Sequence, residues 1–94
     1  MIIRILNEGQ WKVGETDVRD LNTLDDQVEQ AVAGDDQAKL TAVLQKLLDR
    51  VRSTGTRLPD DELHDSDLIL PTQDSTVAEV RSMLNDSEEG LIPN

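Results

Sequence analysis

The spacing of apolar residues predicts two long amphipathic helices in the middle of the chain. Apolar side chains recur every three or four positions at Val18, Leu21, Leu24, Val28, Ala31 and Val32, and again at Leu40, Val43, Leu44, Leu47, Leu48 and Val51. This pattern predicts helices over about 17–33 and 35–53, with Gly55 ending the second. Because the connection between them is very short, we expect an antiparallel helical hairpin whose stripes form most of the core.

Polar residues mark the expected ends of these helices. Thr16 or Asp17 is suited to cap the first helix, since a short side-chain oxygen can accept from its exposed N–H groups. Gly34 is expected to end that helix in the left-handed conformation, which glycine adopts without steric cost. Asp35 or Asp36 then starts the next helix.

A β-hairpin is predicted at the start of the chain. Residues 2–6 are apolar except for Arg4, and residues 10–13 alternate between polar and apolar, so that Trp11 and Val13 share one face. Residues 7–9 supply the turn, in which Gly9 is expected to carry the unusual backbone angle. Trp11 is the only aromatic residue, and it is interpreted as a cover for the hairpin-to-helix contact, with a ligand platform as the alternative.

The C-terminal third predicts a third helix and a possible third strand. Residues 68–70 form a compact apolar run that could pair with the edge of the hairpin. Thr76 and Glu79 have capping-box spacing, which predicts a helix over about 76–85. The apolar tail 90–94 is expected to fold back. The chain is therefore expected to form a single α+β domain over 1–94, with the helical hairpin packed on the β-hairpin.

Charge restricts the classes of partner. Nine Lys and Arg oppose twenty Asp and Glu, which gives a net charge of −11. Nucleic-acid binding depends on basic residues that neutralise phosphates, so we expect none, and docking on an anionic membrane surface is equally disfavoured. A positive partner would be attracted, although the charge could also serve only to keep the surface solvated. Without a long apolar run or a cysteine, the chain is expected to be soluble and cytoplasmic.

The acidic segment around His64 is the only group that resembles a reactive site. Asp60, Asp61, Glu62, Asp65 and Asp67 surround this histidine. The spacing matches neither a calcium loop nor a zinc helix, and no second base accompanies His64. We therefore expect no enzymatic activity, no metal and no cofactor. A small hydrolase or a metal-binding protein that uses this loop remains the alternative.

Five segments, in order along the whole chain, resemble the small PspA-associated (PspAA) family. They are Gly9-Gln10-Trp11-Lys12-Val13, Leu21-Asn22-Thr23-Leu24-Asp25, Val51-Arg52-Ser53-Thr54-Gly55, Ser66-Asp67-Leu68-Ile69-Leu70-Pro71 and Glu89-Gly90-Leu91-Ile92-Pro93. Each segment alone is unspecific, and the fourth together with the fifth carries most of the resemblance. Proteins of this family accompany PspA, a coiled-coil, membrane-remodelling protein of the phage-shock envelope-stress response.

The resemblance implies a non-enzymatic partner or regulator of PspA that acts in the cytoplasm near the membrane. It directs attention to the segments that flank the helical pair, so Trp11, Asp65, Ser66, Asp67 and Leu68 are the predicted partner-binding residues. Two other hypotheses stay open. The chain could be a self-associating structural or adaptor domain, such as a homodimer, or residual apolar surface along the second helix could dock another protein together with residues 68–70.

Overall fold

The protein packs a layer of helices on one face of a small sheet. The computed structural model describes residues 1–59, 61–62 and 64–85. Within these residues, the elements in chain order are β1 (Ile2–Ile5), β2 (Gly9–Lys12), α1 (Glu15–Ala33), α2 (Gln37–Thr54), β3 (Thr56–Arg57), β4 (Leu68–Leu70) and α3 (Val77–Asn85). The predicted α+β fold is confirmed, including the third strand and the third helix. The expected folding back of the tail 90–94 concerns residues outside the described part.

The sheet is mixed, with strand order β3-β2-β1-β4. β1 pairs with β2 in the predicted antiparallel hairpin, and β2 pairs with β3 in the same sense. β4 lies parallel to β1 on its other side, with Ile3 opposite Leu68 and Ile5 opposite Leu70. In the hairpin turn Gly9 has the expected positive φ of 140°, and Asn7 has a φ of 67°. β1 is therefore the strand that lies between β2 and β4, and β2 is the other inner strand.

One hydrophobic core lies between the sheet and the helices. Ile3, Ile5, Trp11, Val13, Leu68 and Leu70 point inward from the sheet and its extensions, and they meet the stripes of all three helices. All six apolar residues of the α2 stripe are buried. α1 and α2 run antiparallel, since Asp20 near the start of α1 contacts Arg50 near the end of α2. The core therefore uses the six stripe residues of α2 completely, and the exposed apolar residues of that helix are Ala38 and Ala42.

The start of α1 differs from the prediction. The helix begins at Glu15, and its N-cap is Gly14, which has no side chain to make a capping hydrogen bond. The Gly14 carbonyl oxygen already accepts from the Asp17 and Val18 N–H groups. The prediction of a Thr16 or Asp17 cap is therefore wrong, because a single residue separates the inward-facing Val13 from the first turn of the helix.

The end of α1 also differs. Gly34 has a φ of −84°, in the right-handed region, and it is Asp35 that takes the left-handed conformation with a φ of 52°. The Asp36 N–H donates to Ala31 O and the Asp35 N–H to Val32 O, which is the paired pattern of a Schellman motif. The helix ends at Ala33, as predicted, but an aspartate, which tolerates this region, stands at the left-handed position in place of Gly34.

The other helix ends agree with the sequence. Asp36 caps α2 by accepting from the Lys39 N–H, and Gly55 ends that helix. Thr76 and Glu79 form the predicted capping box, in which each side chain accepts from the backbone N–H of the other residue. The sequence pattern did not predict β3, because its two residues are exposed and polar.

Candidate functional site

The structure brings the five predicted partner-binding residues together at the start of β1. Trp11 on β2 and Leu68 on β4 both stand opposite Ile3, one on each side of it. Their side chains point into the core and are only 6% and 7% exposed. Trp11 covers the hairpin-to-helix contact as expected, with the Arg57 guanidinium 5.7 Å from its ring centroid. A partner cannot reach either side chain in this conformation.

The remaining three residues lie on the segment that leads into β4. The Asp67 carboxylate accepts from the Ile2 N–H at 2.7 Å, and the Ser66 hydroxyl oxygen accepts from the Gln10 amide at 2.7 Å. Asp65 and Asp67 are exposed, while Ser66 is half-buried. Ser66 and Asp67 thus hold β4 in place beside β1, and Asp65 is the predicted residue that stays accessible without such a role.

The acidic segment crosses the outer face of the sheet. It joins β3 at one edge to β4 at the other, so it must pass β2 and β1. Gln10 points to the outer face because its neighbour Trp11 points inward. The Gln10 amide donates to the His64 carbonyl oxygen at 2.7 Å as well as to Ser66. The described residues of this crossing segment are 61–62 and 64–67, and Gln10 is their anchor.

The crossing segment offers little that resembles a reactive site. The His64 ring nitrogen Nε2 lies 2.9 Å from a Glu62 carboxylate oxygen, and both side chains are exposed. Asp60 and Leu63 lie outside the described residues. Among those described, no three His, Asp or Glu side chains are grouped closely enough to hold a metal ion.

Charge is distributed unequally between the two long helices. α1 carries six acidic residues against one arginine, whereas α2 carries four basic residues against one aspartate. Glu15, Asp26 and Glu29 are exposed and project from the same side of α1, since they lie within about 60° of one another at 100° per residue. We call these three residues the acidic side of α1. Arg19 lies on the same side and is its only basic residue.

Two of the four basic residues of α2, Arg50 and Arg52, are engaged in ion pairs. Arg50 contacts Asp20 across the helical pair at 3.0 Å. Arg52 donates to Glu8 in the hairpin turn and to Asp49 one turn earlier. The hydrogen bond to Glu8 is the main reason why the pKa of the Arg52 guanidinium is raised above its ordinary value. These contacts neutralise the C-terminal part of α2, whereas Glu15, Asp26 and Glu29 on the acidic side of α1 have no ion-pair partner in the described part of the chain.

A groove runs between the outer sides of α1 and α2. It encloses about 650 Å³ and is lined by Asp20, Thr23, Leu24, Lys46, Asp49, Arg50 and Ser53. The sequence did not single out this groove, because its walls come from the polar sides of two helices whose pairing has to be known first. Both signs of charge alternate along it, so it favours no one class of ligand by charge.

The outer face of the sheet holds the exposed apolar side chains. Leu6 and Ile69 are 39% and 46% exposed, and no other large apolar side chain in the described ranges is exposed to this degree. Arg4 stands opposite Ile69 on the neighbouring strand and is also exposed. Sequence alternation contained the signal, since Arg4 and Leu6 alternate with the inward Ile3 and Ile5, and Ile69 lies between two inward leucines.

Comparison with known proteins places the chain in a family. None of the helices in the described ranges combines the length and the apolar character that a membrane span requires. No curated protein and no solved structure matches the chain. The sequence model of the PspA-associated proteins, PspAA, matches residues 1–94. That match covers the whole chain, and the protein therefore belongs to the PspA-associated protein (PspAA) family.

Proposed function

We propose that this protein is a non-enzymatic partner of PspA and that it docks through the acidic side of α1. The family name supplies the partner. The resemblance implies that PspA is a coiled-coil, membrane-remodelling protein of the phage-shock envelope-stress response, and this protein would act beside it in the cytoplasm. The observation that carries the choice of surface is the separation of charge between α1 and α2.

Three exposed carboxylates on one side of a helix suit a partner helix with basic stretches. Glu15, Asp26 and Glu29 form no ion pair within the described part of the chain, so a partner could approach them without breaking existing contacts. The net charge of −11 extends the attraction beyond the contact itself. Attraction of this kind accelerates encounter more than it deepens affinity, and salt screens it over about 8–10 Å.

The surroundings of His64 support a role without catalysis. A general base needs an enclosed setting and an orienting partner that matches its pKa to the reaction. His64 is exposed and contacts Glu62, which is exposed as well. The accessible carboxylates of the crossing segment, with Asp65 among them, provide the rival docking surface.

The proposal is tested by measuring association of purified PspA with this protein and with two charge-matched variants. One variant carries Glu15→Gln, Asp26→Asn and Glu29→Gln, and its matched control carries Asp61→Asn, Asp65→Asn and Asp74→Asn. All six positions are exposed. We expect the α1 variant to associate about tenfold more slowly at low salt, because the local attraction is lost. The control should change much less.

The possible results distinguish between the two docking surfaces and between binding to PspA and self-association. If the control variant weakens binding more than the α1 variant, docking involves Asp61, Asp65 or Asp74 and the proposed surface is wrong. An affinity for PspA that does not change with salt concentration would show that charge does not drive the association. Absence of binding to PspA, with a mass that rises with protein concentration in light scattering, would favour a self-associating domain.

A further inference from the structure

Arg19 interrupts the acidic side of α1. Together with Glu15, Asp26 and Glu29 it falls within an arc of about 80° at 100° per residue, and all four side chains are exposed. The four residues are separated by steps of four, seven and three along the helix. Helix residues at such spacings lie in one row, which a neighbouring helix can follow along its length. We call this row of four charges the charged seam.

The charges of the seam are not used within the described part of the chain. Glu15 and Arg19 stand one turn apart, at a spacing where an ion pair can form, yet neither forms one with any described residue. Arg50 of α2 differs, since it contacts Asp20 on another side of α1 at 3.0 Å. The Arg19 guanidinium is therefore as accessible to a partner as the three carboxylates are.

We propose that Arg19 is a specificity-determining residue, which selects a partner helix that carries one acidic residue among its basic ones. The inference rests on the docking through α1 proposed above. Because all α-helices rise by about 1.5 Å per residue, side chains that face the seam repeat its spacing. The partner segment is then basic, acidic, basic and basic at steps of four, seven and three residues. A parallel partner carries this order forwards, and an antiparallel partner carries it backwards.

Net charge and the seam have separate effects on such a partner. The net charge of −11 attracts any basic helix, and this attraction does not depend on the register of the two helices. Arg19 makes the contact depend on register. If the partner slides by four residues, the base that faced Glu15 comes to face Arg19, and two like charges meet. The overall charge therefore brings a basic helix to α1, and Arg19 fixes where along α1 it binds.

The test uses two synthetic peptides of about 18 residues, long enough to form a helix along the seam. Both carry lysine opposite Glu15, Asp26 and Glu29, with alanine and glutamine at the other positions. Opposite Arg19, the matched peptide carries glutamate and the lysine peptide carries lysine. Each is made in the parallel and the antiparallel order and titrated into the isotopically labelled full chain, and backbone amide shifts are followed by NMR.

The titrations are run at about 0.15 M salt, which screens charges more than about 8 Å apart and leaves the contact pairs. We expect the matched peptide, in one of the two orders, to bind about threefold more tightly than the lysine peptide of that order. The matched peptide is the less basic of the two, so attraction by net charge alone predicts the opposite preference. The shifted amides should be those of α1.

Charge reversal at Arg19 gives the sharpest result. Arg19→Glu should invert the preference, so that the lysine peptide binds about tenfold more tightly than the matched peptide. Lys39→Glu changes the net charge by the same amount at an exposed position of α2, and this control should keep the wild-type preference. Purified PspA should bind Arg19→Glu more weakly than it binds Lys39→Glu. Thermal melting of both variants by circular dichroism verifies the fold.

The results distinguish this inference from the docking on which it rests. If the wild type prefers the lysine peptide in both orders, net charge alone selects the partner and Arg19 has no such role. Tighter binding of PspA to Arg19→Glu than to the wild type would lead to the same conclusion, while docking through α1 would stand. If PspA does not bind the wild type but the matched peptide is still preferred, the role of Arg19 stands and PspA is not the partner. Amide shifts outside α1 with both peptides would overturn the seam as the docking site.

Discussion

The two outer sides of the molecule differ in what they leave exposed. On the helix layer, α1 turns its apolar stripe to the core and shows carboxylates to solvent, and the α2 stripe is entirely buried. On the sheet, the outer face is crossed by the acidic segment, and it exposes Leu6 and Ile69 beside Arg4. An amphipathic helix in a small domain can bury its whole apolar stripe in one core. A sheet that packs on a core with one face leaves its other face to solvent, where single apolar residues among polar ones are common.

The largest expected effect concerns the core that supports both sides. Leu44 is fully buried in α2, so Leu44→Asp would remove its packing and bury a carboxylate. The two costs together amount to several kcal/mol, comparable with the roughly 5–15 kcal/mol that stabilises a whole domain. We expect the variant to be unfolded by circular dichroism and to have lost both surfaces. Gln45→Asp, at the exposed neighbouring position, should melt like the wild type. A cooperative melt of Leu44→Asp near the wild-type temperature would contradict the assigned core.

A smaller effect is expected where α2 meets the sheet. A Cβ at Gly55 would lie 2.7 Å from Val51 O and 3.1 Å from both Trp11 Cβ and Val13 Cγ2. Backbone atoms cannot yield easily, so Gly55→Ala should lower the free energy of unfolding by about 1–3 kcal/mol in a denaturant titration. Gly34→Ala is the matched control. The nearest atom to its added Cβ would be the Gln30 carbonyl oxygen at 3.5 Å, and Gly34 has an ordinary φ, so the control should be neutral or slightly stabilising. An equal decrease in the free energy of unfolding in both variants would mean that the close helix-to-sheet contact is not at Gly55.

The smallest effect tests the anchor of the crossing segment. Gln10→Ala removes two hydrogen bonds, to His64 O and to the Ser66 hydroxyl, both near the surface. The expected loss is about 1 kcal/mol of stability, together with faster amide hydrogen exchange in residues 64–67 and unchanged exchange in α1. Gln45→Ala, which removes an exposed amide from α2, should change neither quantity. If exchange in the segment is unaffected by Gln10→Ala, the segment is held by other contacts.

Periodicity predicted the fold well where burial dictates it. The stripes of α1 and α2 could be assigned because only a helix places residues at those spacings on one face. The capping box at Thr76 was also visible, since both of its side chains are local in sequence. The parallel placement of β4 was not, because it depends on the path of the crossing segment over the sheet, which no local pattern encodes.

The partner-binding role of the five predicted residues stays a prediction, and the structure shows only where they lie. The sequence grouped Trp11 and Leu68 with three polar residues, and they do lie together around β1, yet these two point into the core. Alternation could have indicated this, since Leu68 and Leu70 share one face and only Ile69 lies on the other. The acidic side of α1 could not be predicted from the sequence, because the prediction requires knowing which side of the helix is exposed in the folded domain.

The most direct measurement of the central claim maps which surface touches PspA. The chain contains no cysteine, so single cysteines can be introduced separately as Glu29→Cys, Asp65→Cys and Ile69→Cys, each at an exposed position. Each is labelled with the same photoactivatable cross-linker and mixed with purified PspA at low salt. The proposed docking through α1 predicts the highest cross-linking yield from the label at position 29, and a yield that falls as salt is added. A higher yield from position 65 or 69, or no cross-link to PspA from any of the three positions, would contradict it.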